Sequence, residues 1–347
     1  MQRNVMLHVL NVMWLGGVPM FIRDMMRAYR QYHHVVCYLW SKTGFGTEDY
    51  DMMQEWEHEF GADIGHAETA SLTEDIVKAA DPDIVVLHCT GGKSIEGEWP
   101  YAWLNQWPTI FVHHMPTYPL LNVDLDLFVS EYMAKRYEGL RSRMKRWKVC
   151  PPVIDTSQYT GIVRKPDNKR CVIGKLCSDW NAKKYPEQLL RVMKAVGDKY
   201  SEASFEITGG AKHYKDTTIK VPRIVMPETM TKTVPVFMAG YDIFLYINDP
   251  SLPETWCRAV TEAKAAGLPV VAEKRGGIVE QIEHGVNGFL CDTDEEFIEC
   301  LTKLIEDPKL RYDMGVKARE GVAGKYGLQR LRDETLDIVL GSAIGII

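Results

Sequence analysis

The stretch Pro253-Glu254-Thr255-Trp256-Cys257-Arg258-Ala259-Val260-Thr261-Glu262-Ala263-Lys264-Ala265-Ala266-Gly267-Leu268-Pro269 reads as one helix with its own start and stop. Pro253 precedes it and alanine-rich helix formers fill it. Gly267 stands where a left-handed residue ends a helix, and Pro269 forbids extension. Val270-Val271-Ala272 follows at once as a strand, and Gly276-Gly277 turns the chain into another helix ending near Gly285. Helix, tight turn and buried strand in succession mark a parallel sheet with helices on both faces.

Working outward, the same alternation fills the chain. In the first half, strands are expected at 5–12, 35–39, 83–88, 109–113 and 127–129, with helices at 19–32 and 71–80. The second helix opens on the capping box Ser71-x-x-Glu74. Pro151-Pro152 prevents a helix from continuing, and the extended run 149–154 suits a strand leading into a linker. The alternation then restarts with strands at 171–176, 205–208, 223–226, 243–246 and 269–272 and a helix at 186–200. Thr293-x-x-Glu296 is a second capping box, opening a helix to about residue 306. These readings predict an α/β domain over 1–152, a second over 153–327, and a tail 328–347 whose helix packs back on the first domain.

Composition narrows the classes. The chain has 347 residues, 46% hydrophobic and 25% charged, which suits a globular protein of two domains. No apolar run approaches the roughly 20 residues needed to span a bilayer, and residues 1–12 lack a small-residue cleavage site. Eight cysteines without C-x-x-C pairing or zinc spacing read as reduced thiols, so a cytoplasmic location is expected. His33-His34, His58 and His66 likewise lack metal spacing. The net charge of −6 gives no general attraction to nucleic acid or acidic membranes. Residues 135–148 depart from it, with seven basic residues (Lys135, Arg136, Arg141, Arg143, Lys145, Arg146, Lys148) against Glu138. That run reads either as a solvated face with a connector or as a surface for an anionic partner.

In the opening helix, Glu254 and Glu262 are eight positions apart, an offset of about 80° around the axis. The free N–H groups of a helix N-terminus suit a diphosphate, which would repel a carboxylate. The glutamates should therefore face hydroxyls, Glu254 those of a sugar and Glu262 those of a ribose. The competing reading is an exposed helix in which Glu254 and Arg258 form an ordinary i,i+4 pair.

The run 254–290, with Glu-Ala-Lys-Ala-Ala-Gly-Leu-Pro-Val-Val-Ala, Gly-Gly-Ile-Val-Glu-Gln-Ile and Gly-Val-Asn-Gly-Phe-Leu, closely resembles the GT-B glycosyltransferases of family 4. The resemblance implies two facing Rossmann-like domains and retaining transfer from a nucleotide sugar. Its E-x₇-E falls on Glu254 and Glu262. Its diphosphate-gripping basic pair falls on Lys175, in Gly174-Lys175-Leu176, and on Lys184, with Lys183 competing for the second role. Lysine in place of the family's arginine at 175 lacks the bidentate fork. Cys257, after Trp256, replaces the family's usual glycine where backbone approaches phosphate, and Arg258 follows it in the donor-binding set. Gly16-Gly17, after the first strand, resembles the glycine loop that approaches the donor. Thr109-Ile110-Phe111-Val112-His113-His114 resembles the strand whose histidine contacts the transferred sugar. Alternation sends His113 and His114 to opposite sides, and His113 is favoured for the cleft. Val129-Ser130-Glu131 matches a segment read as structural.

The resemblance implies no metal and no cofactor, with the sugar nucleotide, UDP-linked by preference, as a substrate. Asp124-Leu125-Asp126 has the D-x-D form of metal-dependent transferases but lies at a strand entry, far in sequence from the donor residues, and is read as coincidence. Acceptor candidates are a glycan, a lipid-linked sugar or a small molecule, and peripheral membrane contact stays open. Arg141, Arg143 and Lys145 supply the only support for a hydroxymethylated DNA base as acceptor. A sugar-nucleotide epimerase and a catalytically silent sugar-nucleotide binder are the rivals from other classes.

Overall fold

A computed structural model describes residues 4–10, 16–39, 47–67, 70–89, 106–116, 123–177, 181–227 and 233–333. The chain divides into two compact units, Met1–Val153 with Leu328–Ile347, and Ile154–Gly327.

In the first unit, β1 (Val5–Leu10), α1 (Gly17–Ala28), β2 (His33–Leu39), α2 (Thr47–Phe60), β3 (Asp63–Ala67) and α3 (Ala70–Ala80) alternate in the expected manner. Then come β4 (Ile84–Cys89), β5 (Thr109–His113), β6 (Leu125–Phe128), α4 (Glu131–Arg136) and β7 (Trp147–Val149). All seven strands are parallel, in the order β3-β2-β1-β4-β5-β6-β7. Parallel strands are covered on both faces, so β5 and β6 are buried at every position. Strand order reverses between β1 and β4, and ligands of such sheets bind beyond the carboxyl ends of the strands at that reversal. Gly16 and Gly17 begin α1 there.

The second unit holds β8 (Cys171–Leu176), α5 (Glu187–Lys199), β9 (Ala203–Thr208), β10 (Ile224–Val225), α6 (Val234–Gly240) and β11 (Ile243–Tyr246). It continues through α7 (Arg258–Ala265), β12 (Val270–Glu273), β13 (Gly288–Cys291), α8 (Asp294–Glu306), α9 (Pro308–Glu320) and α10 (Val322–Tyr326). Its six strands are also parallel, ordered β10-β9-β8-β11-β12-β13. Gly174 on β8 is obligatory, because a Cβ there would lie 2.3 Å from the Tyr241 ring.

After this unit α11 (Leu328–Leu331) belongs to the first, where the Tyr29 hydroxyl donates to the Leu331 carbonyl at 2.5 Å. The remainder of the expected 328–340 helix beyond residue 333 lies outside the described residues, as do residues 11 and 12 of the first expected strand.

Three expectations are corrected. The quoted helix begins at Arg258 with Cys257 as its N-cap, so Glu254 stands in the preceding loop. Tertiary contacts override propensity there: the Glu254 carbonyl accepts the Gly277 N–H at 2.7 Å, and a Cβ on Gly276 would lie 2.2 Å from that carbonyl. Gly276, at φ +59°, is thus required both by conformation and by contact. Second, the helix expected after Gly276-Gly277 is a short 3-10 turn, Gly276–Glu280. Third, Ser71 lies inside α3, which starts at Ala70, rather than before it. The Thr293 box does form: Thr293 Oγ1 accepts the Glu296 N–H at 3.3 Å, and Gly267 ends its helix at φ +71°.

Candidate active site

The second unit gathers Glu254, Lys184 and Lys175 around the carboxyl ends of β8 and β11. Glu254 Oε1 accepts from the Tyr246 hydroxyl at 2.7 Å and from Asn248 Nδ2 at 3.1 Å, and pairs with Lys184 Nζ at 3.2 Å. Its other oxygen, Oε2, accepts nothing from the described residues. The glutamate side chain keeps 15% of its surface and Lys184 keeps 12%. Burial works against the charge of Glu254. Lys184, with the Tyr246 and Asn248 hydrogen bonds, outweighs it and holds the carboxyl below the usual range. Burial also opposes the Lys184 charge. The field of Glu254 and its hydrogen bond hold the ammonium above the ordinary lysine value. The pair is therefore ionised at neutral pH.

Lys175 occupies a different position from the one expected. It has no exposed surface, and its Nζ donates to the Ile247 carbonyl at 2.9 Å and to Asn248 Oδ1 at 3.3 Å, 4.0 Å from the Tyr246 ring centre. Burial lowers its pKa. Its ammonium braces Asn248, which in turn holds Glu254. Lys183 is exposed and contributes its carbonyl to the Asp249 N–H at 2.7 Å, while Lys184 is the one that pairs with Glu254.

Behind this layer, Glu273 Oε2 accepts the Asn248 N–H at 2.7 Å and pairs with Arg275 at 3.0 Å. Sequence reasoning missed Tyr246, Asn248, Glu273 and Arg275. The only signal was position, since each lies at or just past a strand's carboxyl end.

Glu262 pairs with Arg258 at 2.7 Å, both largely buried, so the i,i+4 partner of Arg258 is Glu262 and not Glu254. Cys257 is 3% exposed, and its thiol is directed inward beside Tyr246. Its bulk is thus spent in the core rather than against a ligand.

In the first unit, Gly17 is exposed at the start of α1 and Gly16 half-buried. His113 has no exposed surface. Its Nε2 lies 2.7 Å from Asp126 Oδ1 and its ring stacks 4.5 Å from that of Phe128. His113, favoured for the cleft, is enclosed between Asp126 and Phe128, and His114 is buried as well, at 8% exposure. Asp126 is committed to His113, and Asp124 to Lys145 at 3.0 Å and the Thr109 N–H at 3.0 Å. The D-x-D carboxylates are thus internal partners.

The basic run forms α4, a 3-10 turn (Glu138–Arg143) and β7. An open pocket of about 450 Å³ is lined by Arg141, Lys145, Arg146, Trp147 and Lys148 among others. Arg141 donates to the Ala134 carbonyl at 3.0 Å and lies 4.4 Å over the Trp147 ring, while Arg143 is exposed.

Residues 176–321 match the family described as glycosyl transferases group 1. An uncharacterized glycosyltransferase of Haemophilus influenzae is 31% identical over 156 residues, 44% of this chain and 40% of that protein. A GDP-mannose-dependent alpha-mannosyltransferase of Corynebacterium glutamicum is 27% identical over 47% of this chain and 43% of its own length. The chain thus spans less than half the length of these two relatives. Among solved structures, Anabaena HepE in complex with UDP-glucose superposes with a TM-score of 0.75 at 16% identity, covering 99% of this chain and 100% of that one. The crystal structure of WaaG, a glycosyltransferase involved in lipopolysaccharide biosynthesis, gives 0.64 at 14% identity over 97% and 100%. Residues 176–321, which hold Glu254, Lys184 and Glu262, are therefore a glycosyl transferases group 1 region in a chain built of the two parallel-sheet domains of the GT-B fold.

Proposed function

We propose that this protein is a retaining, metal-independent glycosyltransferase that moves a sugar from a nucleotide donor, UDP-linked by preference, to a hydroxyl acceptor. The arrangement of Glu254 carries the reading. Three donors saturate Oε1 and fix the carboxylate, while Oε2 takes nothing from the described residues. An ionised, aimed carboxylate of this kind accepts a hydrogen bond from a sugar hydroxyl and repels a phosphate. The diphosphate then belongs with Lys184 and the amides that open α7, where leaving-group charge is stabilised without a metal ion. In retaining transfer of this type the departing phosphate assists deprotonation of the acceptor, so no dedicated protein base is needed. Lys175 acts by holding Asn248.

Thermal unfolding with UDP-, GDP-, ADP- and TDP-sugars in EDTA tests the donor half. One sugar nucleotide at a hundred times its Kd should raise Tm by about 5–10 °C. No shift with any of them, or a shift that appears only when a divalent metal is restored, would sink this reading. Product from donor alone, seen by NMR, would instead indicate an epimerase, and binding without transfer or hydrolysis a silent binder. The DNA alternative draws less support, since Arg141 and Lys145 are already engaged by protein groups.

A further inference from the structure

Arg275 stands just past the carboxyl end of β12, and its guanidinium reaches the loop that follows β11. Its Nη2 donates to the Asn248 carbonyl at 3.2 Å and to Glu273 Oε2 at 3.0 Å, which uses both hydrogens of that nitrogen. Asn248 in turn donates from Nδ2 to Glu254 Oε1 at 3.1 Å, so one residue holds both Arg275 and the site carboxylate. The backbone ties them as well. Gly276 packs on the Glu254 carbonyl, and the Gly277 N–H donates to it at 2.7 Å. In a parallel sheet Arg275 thus shares the carboxyl edge with Glu254 and Lys184.

A guanidinium that served only as a brace would turn paired donors on both oxygens of Glu273, fork to fork. Arg275 does not. Its Nη2 hydrogens are split between two acceptors, and Glu273 Oε1 and Arg275 Nε are each buried without a partner among the described residues. Nη1 likewise donates to nothing among the described residues, and the side chain keeps 30% of its surface. Charge points the same way. Around Asn248 stand three basic side chains, Lys175, Lys184 and Arg275, against two carboxylates, Glu254 and Glu273. Lys183 and Asp249 beside them cancel. The excess is positive, and an anion is drawn to it. The two lysines are point charges, whereas a guanidinium matches phosphoryl oxygens two at a time.

We infer that Arg275 is a further anion-binding residue of this site and takes phosphoryl oxygens of the sugar nucleotide on the donors that Glu273 and Asn248 leave over. It shares the diphosphate with Lys184, one on each side of Asn248. The identity of the anion rests on the sugar-transfer reading, and the phosphoryl site itself rests on the cluster alone.

Inorganic pyrophosphate and UDP are the probes, titrated in EDTA by calorimetry into the parent, Arg275→Gln and Glu273→Gln. R275Q should weaken both ligands by about ten- to a hundredfold, the scale of lost charge-assisted hydrogen bonds. E273Q should bind pyrophosphate at least as tightly as the parent, because glutamine still accepts the Asn248 N–H while the guanidinium loses its counter-ion. A brace acting through Glu273 gives equal losses in the two variants, and that result would overturn the inference. So would pyrophosphate and UDP affinities in R275Q within about threefold of the parent, or a parent that does not bind pyrophosphate. In the unaltered protein, phenylglyoxal should modify Arg275 and saturating pyrophosphate should protect it, read by peptide mass spectrometry. That measurement decides if R275Q does not fold, and an equal rate of modification with and without pyrophosphate counts against the inference. Pyrophosphate held by Arg275 in a protein that binds no sugar nucleotide would refute the sugar-transfer reading and leave the phosphoryl site standing. A sugar nucleotide bound equally well by R275Q would do the opposite.

Discussion

Glu254→Gln should lower transfer by about a hundred- to a thousandfold while leaving the fold intact. Glutamine has the same shape and keeps one oxygen to accept from Tyr246 and Asn248, which lie at 2.7 and 3.1 Å. What changes is charge and the second atom. An amide nitrogen in place of Oε2 is a donor, so a sugar hydroxyl that gave its proton to the carboxylate loses its partner. Lys184 also loses its counter-ion in a site where it keeps only 12% of its surface. Removing the counter-ion of a partly buried ammonium costs about 1–3 kcal/mol of stability, and the double variant Glu254→Gln with Lys184→Met should recover part of that. Activity should not return with it. The measurement is initial rate of transfer at saturating donor, with circular dichroism to confirm folding. Unchanged turnover in the folded variant would remove Glu254 from the site. A raised KM with intact kcat would assign it to ground-state binding.

Much of this was legible in the sequence because the relevant signals are local. Strand and helix periodicity exposed both parallel sheets, and Gly267 and the Thr293 box marked helix ends by rules that act within a few residues. The parts that failed depend on long-range contact. Glu254 appeared helical because its neighbours favour helix, whereas the Gly277 N–H, 23 positions on, holds its carbonyl in a loop. The resemblance alone assigned Lys175 to phosphate, and no local signal showed that β11 and its following loop bring Tyr246, Ile247 and Asn248 against it. Alternation along β5 sends His113 and His114 to opposite sides, and the structure buries both. The partner that claims His113, Asp126 on β6, was visible only as half of a D-x-D. The edge strand β3 did not stand out because Asp63-Ile64-Gly65-His66-Ala67 holds no apolar run.

Acidification from pH 7.5 to 5.5 should remove about 5 kcal/mol from the stability of the first unit, most of what a typical domain possesses. Burial first, and neighbouring imidazoles second, push His8 and His88 well below the ordinary histidine value; burial lowers His34 to about 4 and His114 to about 3. The unfolded chain protonates near 6.5, so below that pH it binds protons which these four buried imidazoles refuse. A depressed folded pKa contributes stability that is complete above 6.5 and lost as pH falls from 6.5 towards 4. Each group contributes about 1.4 kcal/mol per pH unit in that window, and four act together. Paired carboxylates add their own acid lability at lower pH, below the range where the histidines dominate. Seven of the nine tryptophans fall in residues 1–153, so their fluorescence follows this unit. Urea midpoints read by that signal should drop steeply between pH 7 and 5.5, with about four protons taken up on unfolding at pH 5.5. A flat midpoint across that range, or uptake of fewer than about one proton, would show that the four imidazoles already carry charge in the folded state.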